Sequence, residues 1–166
     1  MGLFDSLFSS REVLGIARET IDFALESAEQ THPNEYMGRL RAVPAAEVGL
    51  EEDGVVITDI LVMPGTSSSP VQASVKSWVI PNDLRSVGSV HSHPNGVLRP
   101  SQQDIQTFGK GDVHIIMGAP YGASDWRAFD RQGEPRELPV LDVHVPDAED
   151  FFDFTQADID QELSSR

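Results

Sequence analysis

A chain of 166 residues carries one domain's worth of sequence, enough to bury a hydrophobic core. Its 12 Lys and Arg face 27 Asp and Glu, a formal net charge of −15, which opposes non-specific binding to phosphate backbones and suits a surface adapted to high salt. The lack of cysteine excludes disulfides, thiolate metal sites, a cysteine nucleophile and the Pro-Cys-x-x-Cys pair of zinc deaminases.

No apolar run reaches the length of a membrane span and no signal-peptide pattern appears, so the expectation is a soluble cytoplasmic protein with neither membrane nor nucleic acid as partner. Nothing in the sequence sets an oligomeric state. Residues 1–10 form an N-terminal segment. Gly2 and Ser6 fit a myristoylation pattern, although Leu3, Phe4, Leu7 and Phe8 at helical spacing read more simply as a docking turn. Ser10 can cap a helix from Arg11 to about Gln30, with an apolar stripe of Val13, Leu14, Ile16, Ala17, Ile21, Phe23, Ala24, Leu25 and Ala28. Thr31-His32-Pro33-Asn34 ends that helix, and His32 is assigned to the surface. Glu35 follows, just before the Tyr36–Leu40 run; by composition alone it is one surface carboxylate among many.

Gly54 to Met63 and Val71 to Ile80 are β-rich runs joined by Pro64-Gly65-Thr66-Ser67-Ser68-Ser69-Pro70. No Gly-x-Ser-x-Gly elbow accompanies the serines, so this is a loop, one that could border a substrate channel. Pro81-Asn82-Asp83-Leu84 allows at most one helical turn.

Val90 to Asp104 then reads VHSHPNGVLRPSQQD. Strand side chains alternate between faces, so His91 and His93 point the same way. Pro94-Asn95-Gly96 breaks the strand, and Ser101-x-x-Asp104 marks a helix start. Ser101 and Asp104 can be a capping pair and nothing more. Joined to the histidines, Asp104 makes a third ligand, and three ligands leave a fourth tetrahedral position open, as in catalytic rather than structural zinc sites. The new helix should end near Gly109-Lys110-Gly111, followed by strands over Asp112–Met117 and Trp126–Asp130. His114 lies off the motif and is read as a hydrogen-bonded sheet histidine. Residues 146–166 form an acidic tail, solvated in the usual reading, whose Phe151, Phe152 and Phe154 leave room for docking on the domain.

The spacing H-x-H-x7-S-x2-D resembles the signature of the JAMM (MPN+) metalloproteases without a gap. The resemblance spans about Arg11 to Val145 and implies an α/β MPN (cytidine deaminase-like) fold, with a mixed, mostly antiparallel central sheet flanked by helices. It implies Zn2+ on His91, His93 and Asp104, with Ser101 helping to hold the tetrahedral intermediate. The family also carries a catalytic glutamate after its first helix, closely followed by glycine, a place that Glu35 and Gly38 fit. Met37 and Arg41 stand where many relatives have a cysteine or small residue and a second glycine. The implied activity is hydrolysis of the isopeptide or peptide bond after the C-terminal Gly-Gly of a ubiquitin-like or sulfur-carrier modifier, with that modifier and its lysine-linked or fused target as partners. Two other readings stay open: a non-catalytic MPN scaffold that binds partners, and a RadC-like metalloprotein linked to DNA repair.

Overall fold

The computed structural model describes residues 12–63 and 85–145. The N-terminal segment, the Pro64–Pro70 loop, the Val71–Ile80 run, the Pro81–Leu84 turn and the acidic tail lie outside the described residues.

One expected helix is two elements. The first part is strand β1 (Val13–Ala17), and only then does helix α1 begin (Arg18–Thr31). The reason lies in burial. A helix on a sheet hides one stripe, but Val13, Gly15, Ile16 and Ala17 are all buried, because β1 runs parallel to strands on both sides. A fully buried strand reads as a continuous apolar run that periodicity cannot separate from a helix. Gly15 makes the close approach possible, since a Cβ there would sit 2.5 Å from the Pro139 carbonyl oxygen. In α1 the buried residues are Thr20, Ile21, Ala24, Leu25 and Ala28, the i, i+1, i+4, i+5, i+8 stripe of a helix lying on a sheet. Phe23, placed in that stripe by sequence, points to solvent instead and is 53% exposed.

Strand β2 (Met37–Pro44) leads through a 3-10 turn (Ala45–Val48) to β3 (Val55–Val62). After the undescribed segment come β4 (Ser86–His93), helix α2 (Gln102–Thr107), a 3-10 turn (Phe108–Lys110), β5 (Val113–Gly118) and β6 (Trp126–Phe129). Two short strands, β7 (Pro135–Arg136) and β8 (Val140–Leu141), form the edges of the sheet among the described residues. Its order is β7-β6-β5-β4-β2-β3-β1-β8. Strand β4 is central, antiparallel to β2 and parallel to β5. Gly88 permits the β4–β5 approach; a Cβ there would overlap the Val113 carbonyl oxygen at 1.5 Å.

The main core lies between α1 and the sheet, where Ile21, Leu25, Leu40, Ile57, Val90, Ile115 and Met117 pack together. A smaller cluster of Phe108, Ile116 and Phe129, with Leu98 against it, fills the opposite face. That second face carries the site.

Candidate metal centre

Alternation along β4 divides its last residues between two environments. Val90 and Ser92 turn into the α1 core at 1% and 0% exposure. His91 and His93 project from the other face, where His91 pairs in register with Ile116 and stands 6.5 Å from the Phe108 ring. The strand stops at His93. A turn closed by Gly96 N–H to the His93 carbonyl (2.9 Å), with Gly96 at φ 80°, reverses the chain. It also brings the Val97 carbonyl 2.8 Å from His93 Nδ1. A carbonyl can only accept, so His93 carries its proton on Nδ1 and leaves the Nε2 lone pair free.

Asp104 arrives from the first turn of α2. Ser101 is the N-cap: its side chain accepts from Asp104 N–H at 3.1 Å, and Asp104 Oδ2 accepts from Ser101 N–H at 2.7 Å, a complete capping box. Both readings of this pair are thus compatible. The cap uses the Ser101 oxygen as an acceptor, which leaves its O–H free to donate elsewhere. The same box aims the carboxylate, placing Asp104 Oδ1 3.3 Å from His91 Nε2 and Oδ2 3.3 Å from His93 Nε2. The two Nε2 atoms are 3.1 Å apart.

These distances test the site against a metal. Zinc ligands at roughly 2.0–2.1 Å in tetrahedral array stand about 3.3 Å from one another. The two imidazole nitrogens are close to that spacing, each carboxylate oxygen meets it toward one of them, and one atom from each residue lies within 4.8 Å of the others. Their charge states fit as well. Burial pushes the His91 imidazole below its ordinary pKa, favouring the neutral form a ligand requires. Burial alone would raise the Asp104 carboxyl, but the Ser101 backbone N–H and the nearby His91 outweigh it and hold the group low. Two imidazole nitrogens and one carboxylate therefore converge, and these are the three residues that sequence spacing singled out.

Glu35 reaches the same face by register. Met37 pairs with His91, and Ser92 N–H donates to the Tyr36 carbonyl at 2.9 Å, continuing the β2–β4 ladder one step further. Two residues before Met37, Glu35 falls on the histidine face. It is exposed and lines, with His91, His93, Ser101 and Asp104, an open cavity of about 1000 Å³.

The other histidines separate cleanly. His114 bonds Ser89 Oγ at 2.8 Å and the Gly111 carbonyl at 2.9 Å and stacks on Phe108 with ring centroids 4.1 Å apart, a hydrogen-bonded sheet histidine as read. His32 is exposed, as assigned, but its Nδ1 lies 2.9 Å from the Tyr121 hydroxyl. Sequence reasoning passed over Ser92 and Phe108. Ser92 could have been noticed as a polar residue at a core-facing strand position; Phe108, beneath the ligands, carried no distinguishing signal.

Comparison with known proteins agrees with this geometry. Residues 18–132 match the family described as prokaryotic homologs of the JAB domain. A Haloferax volcanii protein named "Probable metalloprotease" is 60% identical over 157 residues, covering 95% of this chain and 98% of that one. Among solved structures, a JAB1/MPN domain protein from Archaeoglobus fulgidus is 28% identical with a TM-score of 0.57, covering 76% of this chain and 98% of that one. A second, described as JAMM, a metalloprotease-like zinc site in the proteasome and signalosome, is 27% identical with a TM-score of 0.56, over 78% and 99% of the two chains. The chain belongs to the prokaryotic JAB family, and its His-His-Asp cluster in the MPN fold makes it an enzyme of the JAMM metalloprotease type. Among the described residues, no helix is long and apolar enough to cross a membrane.

Proposed function

We propose that the chain is a zinc-dependent peptidase or isopeptidase acting after the C-terminal Gly-Gly of a ubiquitin-like or sulfur-carrier modifier. The observation that carries this reading is an open, three-donor cluster on a cavity floor with a carboxylate, Glu35, at its edge. His91, His93 and Asp104 hold the metal, and N/O ligation at tetrahedral spacing favours zinc. Bound there, zinc would polarise the scissile carbonyl and lower the pKa of a bound water.

The remaining work falls to side chains. Glu35 accepts the proton of the attacking water and returns it to the leaving amine, acting as base and then acid. The Ser101 hydroxyl donates to the developing oxyanion, an interaction worth about 3 kcal/mol in comparable sites. Met37 and Val97 border the cavity and are 42% and 48% exposed, which leaves apolar walls for an extended tail. A glycine pair suits such a passage because it brings backbone without side chains, and β-addition along a strand edge would align it.

The test is cleavage of a ubiquitin-like modifier isopeptide-linked to lysine, at molar salt. Wild type, wild type with chelator, and Glu35→Ala run together, with zinc measured on each. Cleavage lost in both controls, with zinc retained in Glu35→Ala, is the expected result. Full turnover by zinc-loaded Glu35→Ala would sink the base assignment. The molar salt follows from the net charge of −15, which we read as adaptation to a saline cell interior. Thermal melting should accordingly rise from low to molar salt; equal or greater stability at low salt removes that part of the reading.

A further inference from the structure

The short segment that carries Glu35 is pinned at both ends by side chains from elsewhere in the chain. At its far end, Tyr36 N–H donates to Ser92 Oγ at 2.8 Å, while Ser92 N–H donates back to the Tyr36 carbonyl at 2.9 Å. At its near end, the Tyr121 hydroxyl meets His32 Nδ1 at 2.9 Å, with the two rings edge to face at 5.6 Å. Ser92 and Tyr121 thus hold the two ends of one short segment, Ser92 at Tyr36 and Tyr121 at His32.

Two features separate these anchors from ordinary core satisfaction. Ser92 is 0% exposed, although its neighbours on that face are apolar. Burying a hydroxyl is costly unless it is hydrogen-bonded, and a valine or alanine would serve packing alone. Tyr121 holds φ at 65°, the left-handed region, which is a genuine outlier for a bulky residue. Such a conformation costs roughly 1–3 kcal/mol and persists where the surroundings over-determine it. The ring is nonetheless 7% exposed and its backbone N–H is tied to the Gly118 carbonyl at 2.9 Å. That conformation delivers the phenol to His32.

We propose that Ser92, Tyr121 and His32 are positioning residues for Glu35: the Ser92–Tyr36 and Tyr121–His32 hydrogen bonds clamp the His32–Tyr36 segment at its two ends and so fix the carboxylate against the donor cluster. The proposal rests on the reading of Glu35 as the proton carrier. None of the three touches the reacting atoms. They act through backbone placement, and small displacements matter there, since a misplacement of about 1 Å can cost around 100-fold in rate.

The experiment compares Tyr121→Phe, His32→Ala, Ser92→Ala and Ser92→Thr in the zinc-loaded protein, using the isopeptide-linked conjugate above and Glu35→Gln as reference. For Tyr121→Phe, His32→Ala and Ser92→Ala, kcat should fall about 10- to 100-fold, with KM within twofold and zinc stoichiometry unchanged. Ser92→Thr keeps the hydroxyl and should recover most of the loss. A second readout needs no turnover: amide exchange at Tyr36 in Tyr121→Phe and His32→Ala should speed up at least tenfold relative to Ile115. His32 is exposed, so its alanine variant cannot act by hollowing the core. Retained activity in Glu35→Gln would overturn the base reading itself. Loss in Glu35→Gln with unchanged kcat in Tyr121→Phe and His32→Ala would overturn the clamp alone, as would unchanged Tyr36 exchange in both.

Discussion

His91 and His114 stand on the same face of the same sheet, on adjacent strands, and are both nearly buried. Burial lowers the pKa of each, so desolvation does not tell them apart. What differs is where the ring nitrogens are committed. His114 spends both, on Ser89 and on the Gly111 carbonyl, and stacks flat on Phe108. His91 turns Nε2 toward Asp104 and His93, and His93 likewise keeps Nε2 free by giving Nδ1 to Val97. A buried histidine is available to a metal when its neighbours leave a lone pair open and bring further donors alongside it.

The largest effect that sharpens this contrast is on metal binding. Alanine at His91, His93 or Asp104 removes one of the three clustered donors outright. Zinc affinity should fall by more than the roughly 10- to 100-fold lost when only a ligand's hydrogen-bond partner is removed, and proteolysis should vanish with it. His114→Ala should instead keep one zinc per chain in a competition titration. Loss of zinc from His114→Ala at a temperature where it is still folded would break the distinction.

The next effect belongs to His114 alone. Its removal strips Ser89 and the Gly111 carbonyl of a partner and Phe108 of its stacked ring. Unsatisfied groups and a lost aromatic pair together suggest about 2–4 kcal/mol, readable as a lower denaturation midpoint. The depressed pKa gives a further, smaller signature. Between the folded and unfolded pKa values the unfolded chain binds the proton that the folded one refuses, so acidification favours unfolding. In metal-free protein, stability should hold above about pH 6.5 and decline below it. His114→Gln should flatten that decline by up to about 1.4 kcal/mol per pH unit, leaving the part due to His91. An unaltered acid slope in His114→Gln would show that the ring is not held neutral.

How far such distinctions can be read from sequence depends on their range. The period of two along β4 places His91 and His93 on one face, and Ser101-x-x-Asp104 announces the cap; both are local rules and both hold. Strand β1 fails the local rule because its burial comes from neighbours far along the chain, β3 and β8, and with only Leu14 partly exposed it has no solvent face to reveal its period. Strands β7 and β8 have two residues each, too few for any period. Glu35 is ambiguous by composition. The Met37–His91 register supplies the physical reason for its place, and registers between strands are long-range facts. The Ser92–Tyr36 and Tyr121–His32 anchors join distant segments and have no local signature at all.

The smallest effect concerns the cap that aims Asp104. Helix α2 has six residues, none of them buried, and is too short to persist on propensity. Its capping box therefore matters locally, since the Ser101 oxygen satisfies the Asp104 N–H and the Asp104 carboxylate satisfies the Ser101 N–H. Ser101→Ala should cost about 1 kcal/mol of stability, whereas Ser101→Asn, which also caps well, should cost close to nothing. Neither change touches His114, so the acid slope should stay as in wild type. Activity separates the two roles of the residue. If the hydroxyl serves only as a cap, Ser101→Asn should work nearly as well as wild type. If its free O–H donates to the oxyanion, Ser101→Asn should be as poor an enzyme as Ser101→Ala despite its restored stability, and that second outcome is the one the geometry of the cap leads us to expect.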